Sequence, residues 1–188
     1  MVKVLGTACG LGVEGTGWVA APGLVVTNAH VVAGESDTTV SRPDGHRVGA
    51  DAEVYDTRND LAVLRAPLGL PPLRIAARAR RGEPAAVLGY PENGPLTFEA
   101  ARLGSTRTVI SEDSYGRGPL RRRLTSLRGT VRSGNSGGPV VDGRGRVLAT
   151  VFAATSGGPP GGFAVPDGVV RRALARAGHT VDTGPCTS

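Results

Sequence analysis

Apolar residues come in short alternating bursts along the whole chain, and each burst ends at a turn signal. In the first half the bursts are VKVLG, GTGWVAAP, LVVTNAH, TTVSR, RVGADAEVYD and LAVLRAP, separated by signals such as APG and RPDG, so about six strands are expected there. In the second half AVLGYP, LTFEAARLGSTRTVI, RRRLTSLRGTV, GPVVD, RVLATVFAAT and GGFAVP predict six more. Between them, residues 70–85 (LPPLRIAARARRGEPA) are rich in Pro and Arg without a clean period and read as the connection between halves. Only the last element changes period. In PDGVVRRALARAG, Val169, Val170, Ala173, Leu174 and Ala177 share one helical face, with Arg171, Arg172 and Arg176 opposite. A helix over about 167–177 is expected, with Asp167 as its N-cap and Gly178 as its stop.

Two groups of strands without βαβ alternation predict an all-β fold of two antiparallel six-stranded β-barrels closed by a short C-terminal helix. The expected division is 1–80 and 81–188, the two together forming one unit with any active site in the cleft between them. The 188 residues are enough for this, and 29 Gly and 14 Pro suit many turns.

Charge changes the picture little. The net charge is +6, carried almost wholly by arginine, which favours anionic neighbours. Aromatic residues are only 4%, too few for the stacking platforms of a single-strand binder, so no nucleic-acid partner is expected. Every apolar run is broken by Gly, Pro or charge before the ~20 residues a membrane span needs. Met1 is followed by VKVLGTACG, without the basic start and apolar stretch of an export signal, which reads as a cytoplasmic chain or as an excerpt of a longer one. The two cysteines, Cys9 and Cys186, lack metal-ligand spacing. They read either as a disulfide joining the chain ends, which implies an oxidising compartment, or as two buried thiols. No metal or other cofactor is expected.

The sharpest local signal is SGNSGGPVV, residues 133–141. Glycines around Ser136 remove bulk and permit unusual backbone angles, so the amides of Gly134 and Ser136 could converge as an oxyanion hole; an ordinary tight turn is the alternative. A serine nucleophile needs a base, usually a histidine held by a carboxylate. Of three histidines, His46 sits in the polar hairpin signal RPDGHR and His179 follows the terminal helix. His30, in VVTNAHVVAG, ends an apolar strand and is the candidate. Asp60, in RNDLAVLRAP, directly precedes an apolar strand, whereas Asp37, Asp44, Asp51, Asp56 and Asp113 lie in turns or polar stretches and are expected to be solvated. The chain order His30, Asp60, Ser136 differs from the Asp-His-Ser and Ser-Asp-His orders of two other hydrolase folds and matches the chymotrypsin order.

The motifs TNAH, NDLAVL, GNSGGP and GFAVP resemble those of bacterial trypsin-like serine proteases, including the high-temperature-requirement group. More narrowly, GTACGLGVEGTGWV, AAVLGYPENGP, YGRGPLRRRLTSLRGTVRSGNSGGP and the late GPC are similar to the extracytoplasmic domain of the actinobacterial membrane-anchored acid-resistance serine protease. The resemblance implies a serine endopeptidase acting on protein or peptide substrates in the periplasm, with a role in envelope or acid-stress resistance. It also implies an N-terminal membrane anchor outside this chain, a Cys9–Cys186 disulfide and a monomeric isolated domain. It places Thr130 at the base of the primary substrate pocket, with Ala154 and Phe163 in the walls. Trypsin-like cleavage after basic residues uses an acidic group where Thr130 stands, so a small or apolar preference is expected. The rival reading is a catalytically silent or autoinhibited peptide-binding barrel. The segment SEDSYGRGPLRRR, 111–123, reads as a solvated connection, with a loop gating the cleft as its alternative.

Overall fold

The computed structural model describes residues 1–187. The first half forms β1 (Val2–Ala8), β2 (Leu11–Ala21), β3 (Leu24–Thr27), β4 (Thr39–Ser41), β5 (Arg47–Gly49), β6 (Asp51–Asp56) and β7 (Leu61–Arg65). These make one antiparallel sheet in the order β5-β4-β1-β2-β3-β7-β6. The second half forms β8 (Pro84–Gly89), β9 (Thr97–Ser111), β10 (Leu120–Gly129), β11 (Pro139–Val141), β12 (Val147–Ala154) and β13 (Gly161–Pro166), then α1 (Asp167–Leu174). Its strands close into a barrel in the order β10-β13-β12-β11-β8-β9.

The fold is all-β with two antiparallel strand groups and one short C-terminal helix, as expected. Only the second group closes into a six-stranded barrel; the first, which we term the first barrel, is a seven-stranded sheet with two edges rather than a closed six-stranded barrel. The extra strand comes from RVGADAEVYD, which breaks at Ala50. The Ala50 amide leaves the ladder to bond Thr38 O (2.9 Å), so β5 and β6 become the two edges of the sheet.

Inward-facing residues of the first sheet, among them Val2, Val4, Val25, Val40 and Leu64, fill one core. Leu103, Leu127, Val140, Leu148 and Val151 fill the second barrel. A third core lies between them, where Trp18, Val26, Leu61 and Val63 meet Leu88, Val141, Val147 and Val165. Trp18 is fully buried there, its indole N–H donating to Thr150 Oγ1 of the other barrel (3.2 Å). This seam fixes how the two barrels face each other, which is what a site assembled from both requires.

The helix buries Val169, Val170 and Ala173 in the same seam, as its apolar face predicts. Its ends differ from expectation. The N-cap position is Pro166, and Asp167 lies in the first turn, 3.8 Å from Arg171. The helix stops at Leu174, and turn bonds such as Arg176 N to Ala173 O carry the chain on. Of the arginines on the opposite face, Arg171 donates to Ala76 O (2.9 Å) and Arg176 to Asp56 (3.2 Å).

Beyond the helix the chain returns to the first barrel. Val181 N bonds Ala52 O, Gly34 N bonds Thr183 O, and Cys186 forms a disulfide with Cys9, with Cα atoms 6.1 Å apart.

Candidate active site

His30 follows β3 by three residues and Asp60 immediately precedes β7, and β3 and β7 are neighbours in the sheet. That pairing brings two residues distant in sequence to one rim. His30 Nδ1 donates to Asp60 Oδ2 (2.6 Å), and the His30 backbone N–H donates to Asp60 Oδ1 (2.8 Å). The carboxylate therefore grips both the ring and the backbone of the histidine. Asp60 is fully buried, while the His30 side chain is about a third exposed. Asp60 holds a left-handed backbone angle (φ 53°), unfavourable for a residue with a Cβ. Two bonds keep it there, one from its N–H to Thr57 O and one from Asn28 Nδ2 to its carbonyl (2.7 Å).

Ser136 lies in the loop between β10 and β11, whose bonds fix its shape from both barrels. Asn135 is 1% exposed and bonds back to Arg132 through both its N–H and its side-chain oxygen. Gly137 N donates to Val151 O, and the Thr16 N–H of β2 donates to Ser136 O (2.9 Å). Thr16 Oγ1 donates to Gly134 O (2.6 Å) and accepts from Tyr90 N–H (3.0 Å), tying the serine loop to the segment after β8.

Glycine is required at two positions here. Gly134 (φ 83°) lies so close to Tyr90 that a Cβ would come 2.5 Å from its carbonyl oxygen, and one on Gly137 (φ 81°) would overlap Thr16 O and Thr27 Oγ1. The amides of Gly134 and Ser136 donate no hydrogen bond among the described residues, in contrast to those of Asn135, Gly137 and Gly138. Two backbone donors of this loop are thus left without a partner among the described residues.

The serine loop packs against the end of β3, through Gly137 on Thr27, and Val31 and Ser136 O both crowd the space that a side chain on Gly15 would enter. These contacts bring the loop to the rim that carries His30. Ser136 Oγ itself makes no hydrogen bond among the described residues.

The other sequence candidates fall as follows. His46 and His179 are exposed, as are Asp37, Asp44 and Asp51. Asp56 and Asp113 are only half-buried, not solvated: each organises a turn, Asp56 holding Asn59 and Asp113 holding Tyr115 and Arg117. Ala154 and Phe163 lie at the paired ends of β12 and β13, with Phe163 partly exposed. Thr130 follows Gly129, whose N–H reaches Pro160 O in the turn joining those strands.

Segment 111–123 is not a solvated connection. Its tip docks on the turn that carries Asp60, through Ser114 N to Thr57 O (3.0 Å), Arg58 Nη2 to Arg121 O (3.1 Å) and Arg122 Nη1 to Arg58 O (3.5 Å). Arg122 is 4% exposed and stacks on Phe152, 4.1 Å from the ring centroid, and burial lowers its pKa. Tyr115 OH joins Tyr55 OH (2.7 Å) and donates toward the carbonyls of Thr183 and Pro185 in the C-terminal tail. Thr16, Asn28, Tyr115 and Arg122 are supporting residues that sequence reading missed. A lone threonine between glycines in GTGW, and an asparagine two residues before the histidine in TNAH, are the only signals for the first two.

With the geometry in place, the fold and the paired His30 and Asp60 rim belong to a known class. Residues 15–149 match the family model described as a trypsin-like peptidase domain, and the chain belongs to that family of serine peptidases. The chain is 40% identical over 192 residues to serine protease Rv3671c of Mycobacterium tuberculosis, covering 100% of this chain and 48% of that protein. It thus spans about half the length of that curated relative. It is also 32% identical over 168 residues to bovine mitochondrial serine protease HTRA2, covering 87% of this chain and 36% of the relative. Among solved structures, the active form of the Rv3671c protease superposes with a TM-score of 0.94 at 40% identity, covering 100% of this chain and 85% of that one. Its inactive form gives 0.81 at 38% identity, covering 95% and 88%.

Proposed function

We propose that this domain is a serine endopeptidase in which Ser136 is the nucleophile, His30 the general base and Asp60 the residue that orients and stabilises it. Ser136 Oγ attacks the scissile carbonyl carbon as its proton passes to His30 Nε2, and the carbonyl oxygen becomes an oxyanion held by the amides of Gly134 and Ser136. Collapse breaks the C–N bond, His30 returns the proton to the leaving amine, and an acyl-enzyme remains. Water, deprotonated by His30, then attacks the ester, and Ser136 recovers its proton. Catalytic hydrogen bonds in unliganded enzymes often close only when substrate binds, which accords with an unbonded Ser136 Oγ.

The observation that carries this reading is the double grip of buried Asp60 on His30, which fixes the tautomer with Nε2 free to accept. The higher similarity to the active than to the inactive form of the mycobacterial protease supports it. Thr130, Ala154 and Phe163 are assigned to the primary pocket, with preference for a small or apolar side chain. The disulfide supports an extracytoplasmic setting. The motif resemblance set out above supports a membrane-anchored protein acting in envelope or acid stress.

A fluorophosphonate probe tests the core of the proposal. Labelling on Ser136, lost in Ser136→Ala and strongly slowed in His30→Ala, is expected. Labelling unaffected by Ser136→Ala would refute it, and no labelling of the unsubstituted protein would favour a silent peptide-binding barrel.

A further inference from the structure

The outer face of the first barrel carries a row of side chains fixed by register. Arg47 of β5 stands opposite Ser41 of β4, Ser41 opposite Lys3 of β1, and Lys3 opposite Thr16 of β2. Residues directly opposite in antiparallel strands share a face, so these four line up across the sheet. The row runs from solvent at Arg47 to the buried hydroxyl of Thr16 that holds Gly134. Facing it is the segment after β8, and between the two lies a cavity of about 670 Å³. Lys3, Arg42, Arg47 and Tyr90 line it, together with apolar Leu5 and Leu96. None of the proposed catalytic residues does.

Among the described residues no acidic side chain lines this cavity. Arg42 is paired with Asp44 at the rim (2.9 Å), but the other two cations have neutral partners only. Lys3 Nζ donates to the carbonyl and side-chain oxygens of Asn93 (2.6 and 2.9 Å), and Arg47 Nε donates to Ser41 Oγ (3.2 Å). Arg42 Nε and Tyr90 OH are buried without any hydrogen-bond partner among the described residues. Two cations on alternate strands lie roughly 10 Å apart across Ser41, a separation that an anionic group seated between them would bridge from both sides. The apolar lining suits a short hydrocarbon portion attached to that group.

We propose that this cavity binds an anionic amphiphile, a carboxylate or phosphate carrying a short apolar chain, and that occupancy stiffens the serine loop. The route is continuous. The ligand holds Lys3, Lys3 holds Asn93, and segment 90–93 abuts Gly134 while sharing Thr16 Oγ1 with it. The effect on turnover rests on the catalytic assignment above; the binding does not.

Lys3 is the one lysine in the sequence, which makes its amine a specific reporter. Acetylation of Lys3 would be followed by peptide mass analysis on Ser136→Ala protein with octanoate, octyl phosphate, octanol or inorganic phosphate present. Octanoate or octyl phosphate should protect Lys3, with the stronger of the two identifying the headgroup, and Arg47→Ser should weaken that protection about tenfold. Equal protection by octanol, equal protection by inorganic phosphate, an Arg47→Ser variant that binds as well, or no protection at all would each overturn the site. In the unsubstituted enzyme the same ligand should raise kcat, and Arg47→Ser should abolish the rise. Protection without any change in kcat would overturn the coupling alone. A Ser136→Ala protein that still hydrolyses peptides would instead refute the catalytic assignment.

Discussion

Thr16→Val removes a single hydroxyl and keeps the shape of the side chain, so its effect isolates two hydrogen bonds. Thr16 is fully buried, and its Oγ1 serves Gly134 O at 2.6 Å and Tyr90 N at 3.0 Å. Valine leaves both backbone groups without a partner and without water. Each buried unsatisfied group costs about 1–3 kcal/mol, so the expected loss of stability is about 2–6 kcal/mol. A domain with the usual ~5–15 kcal/mol of stability survives the lower part of that range. Catalysis should suffer separately, because the released carbonyl belongs to Gly134, whose amide is a proposed oxyanion donor. Loss of one such donor lowers kcat by about 100- to 1000-fold in comparable enzymes. Urea unfolding gives the first number, and steady-state hydrolysis of a peptide ester below the unfolding midpoint gives the second, with kcat falling more than KM rises. Thr16→Ser keeps both bonds and should lose only about 1 kcal/mol for its methyl group. If Thr16→Val unfolds within about 0.5 kcal/mol of the unsubstituted protein and turns over at the same rate, the latch carries neither load.

Asp60→Asn preserves the volume and accommodates the same backbone angle, yet it cannot hold His30 in the required tautomer, so kcat should fall by about 10⁴ with little change in substrate affinity. Glu35 is 8% exposed with one oxygen bonded to Thr38 and the other unpartnered, and burial pushes its carboxyl up to about 7 from 4.5. The folded state therefore holds this proton more tightly than the unfolded state, so stability should fall by about 1–3 kcal/mol as pH rises from 4.5 to 7, as read by urea titrations at several pH values. Glu35→Gln should flatten that slope. Tyr115→Phe removes the hydroxyl shared with Tyr55 and the tail, and a loss of about 1–3 kcal/mol in thermal or urea unfolding is expected. Gly137→Ala forces a Cβ onto the Thr16 carbonyl and the Thr27 hydroxyl at a positive φ, and it should cost at least about 1–3 kcal/mol together with most activity.

Much of the fold was legible because alternation reports directly on strands with one buried face. Val2 and Val4 of β1 point inward and Lys3 points outward, as VKV implies. What failed was local. The split at Ala50 depends on a bond to Thr38, a partner that no window of sequence around Ala50 contains. Asp167 lost the cap position because Pro166 already has the extended backbone of a cap, leaving the aspartate to face Arg171. Of the candidate site, the pairing of His30 with Asp60 was legible, because each flanks an apolar strand and those two strands are neighbours in the sheet. The site was unreadable where common residues act through distant contacts. Nothing in SEDSYGRGPLRRR states that Ser114 and Arg122 will meet the turn at Thr57 and Arg58, since that meeting follows from how the two barrels share the Trp18 seam.

The returning tail makes the molecule a closed circuit rather than two beads on a string. Residues 181–186, beyond the helix, lie along β6 and are covalently fastened beside the first hairpin, with Tyr115 of the other half clasping them on the way. A protease nicking the linker near residues 77–82 would accordingly leave both pieces tethered, and separating them would require reducing the sulfur bridge as well as breaking the seam.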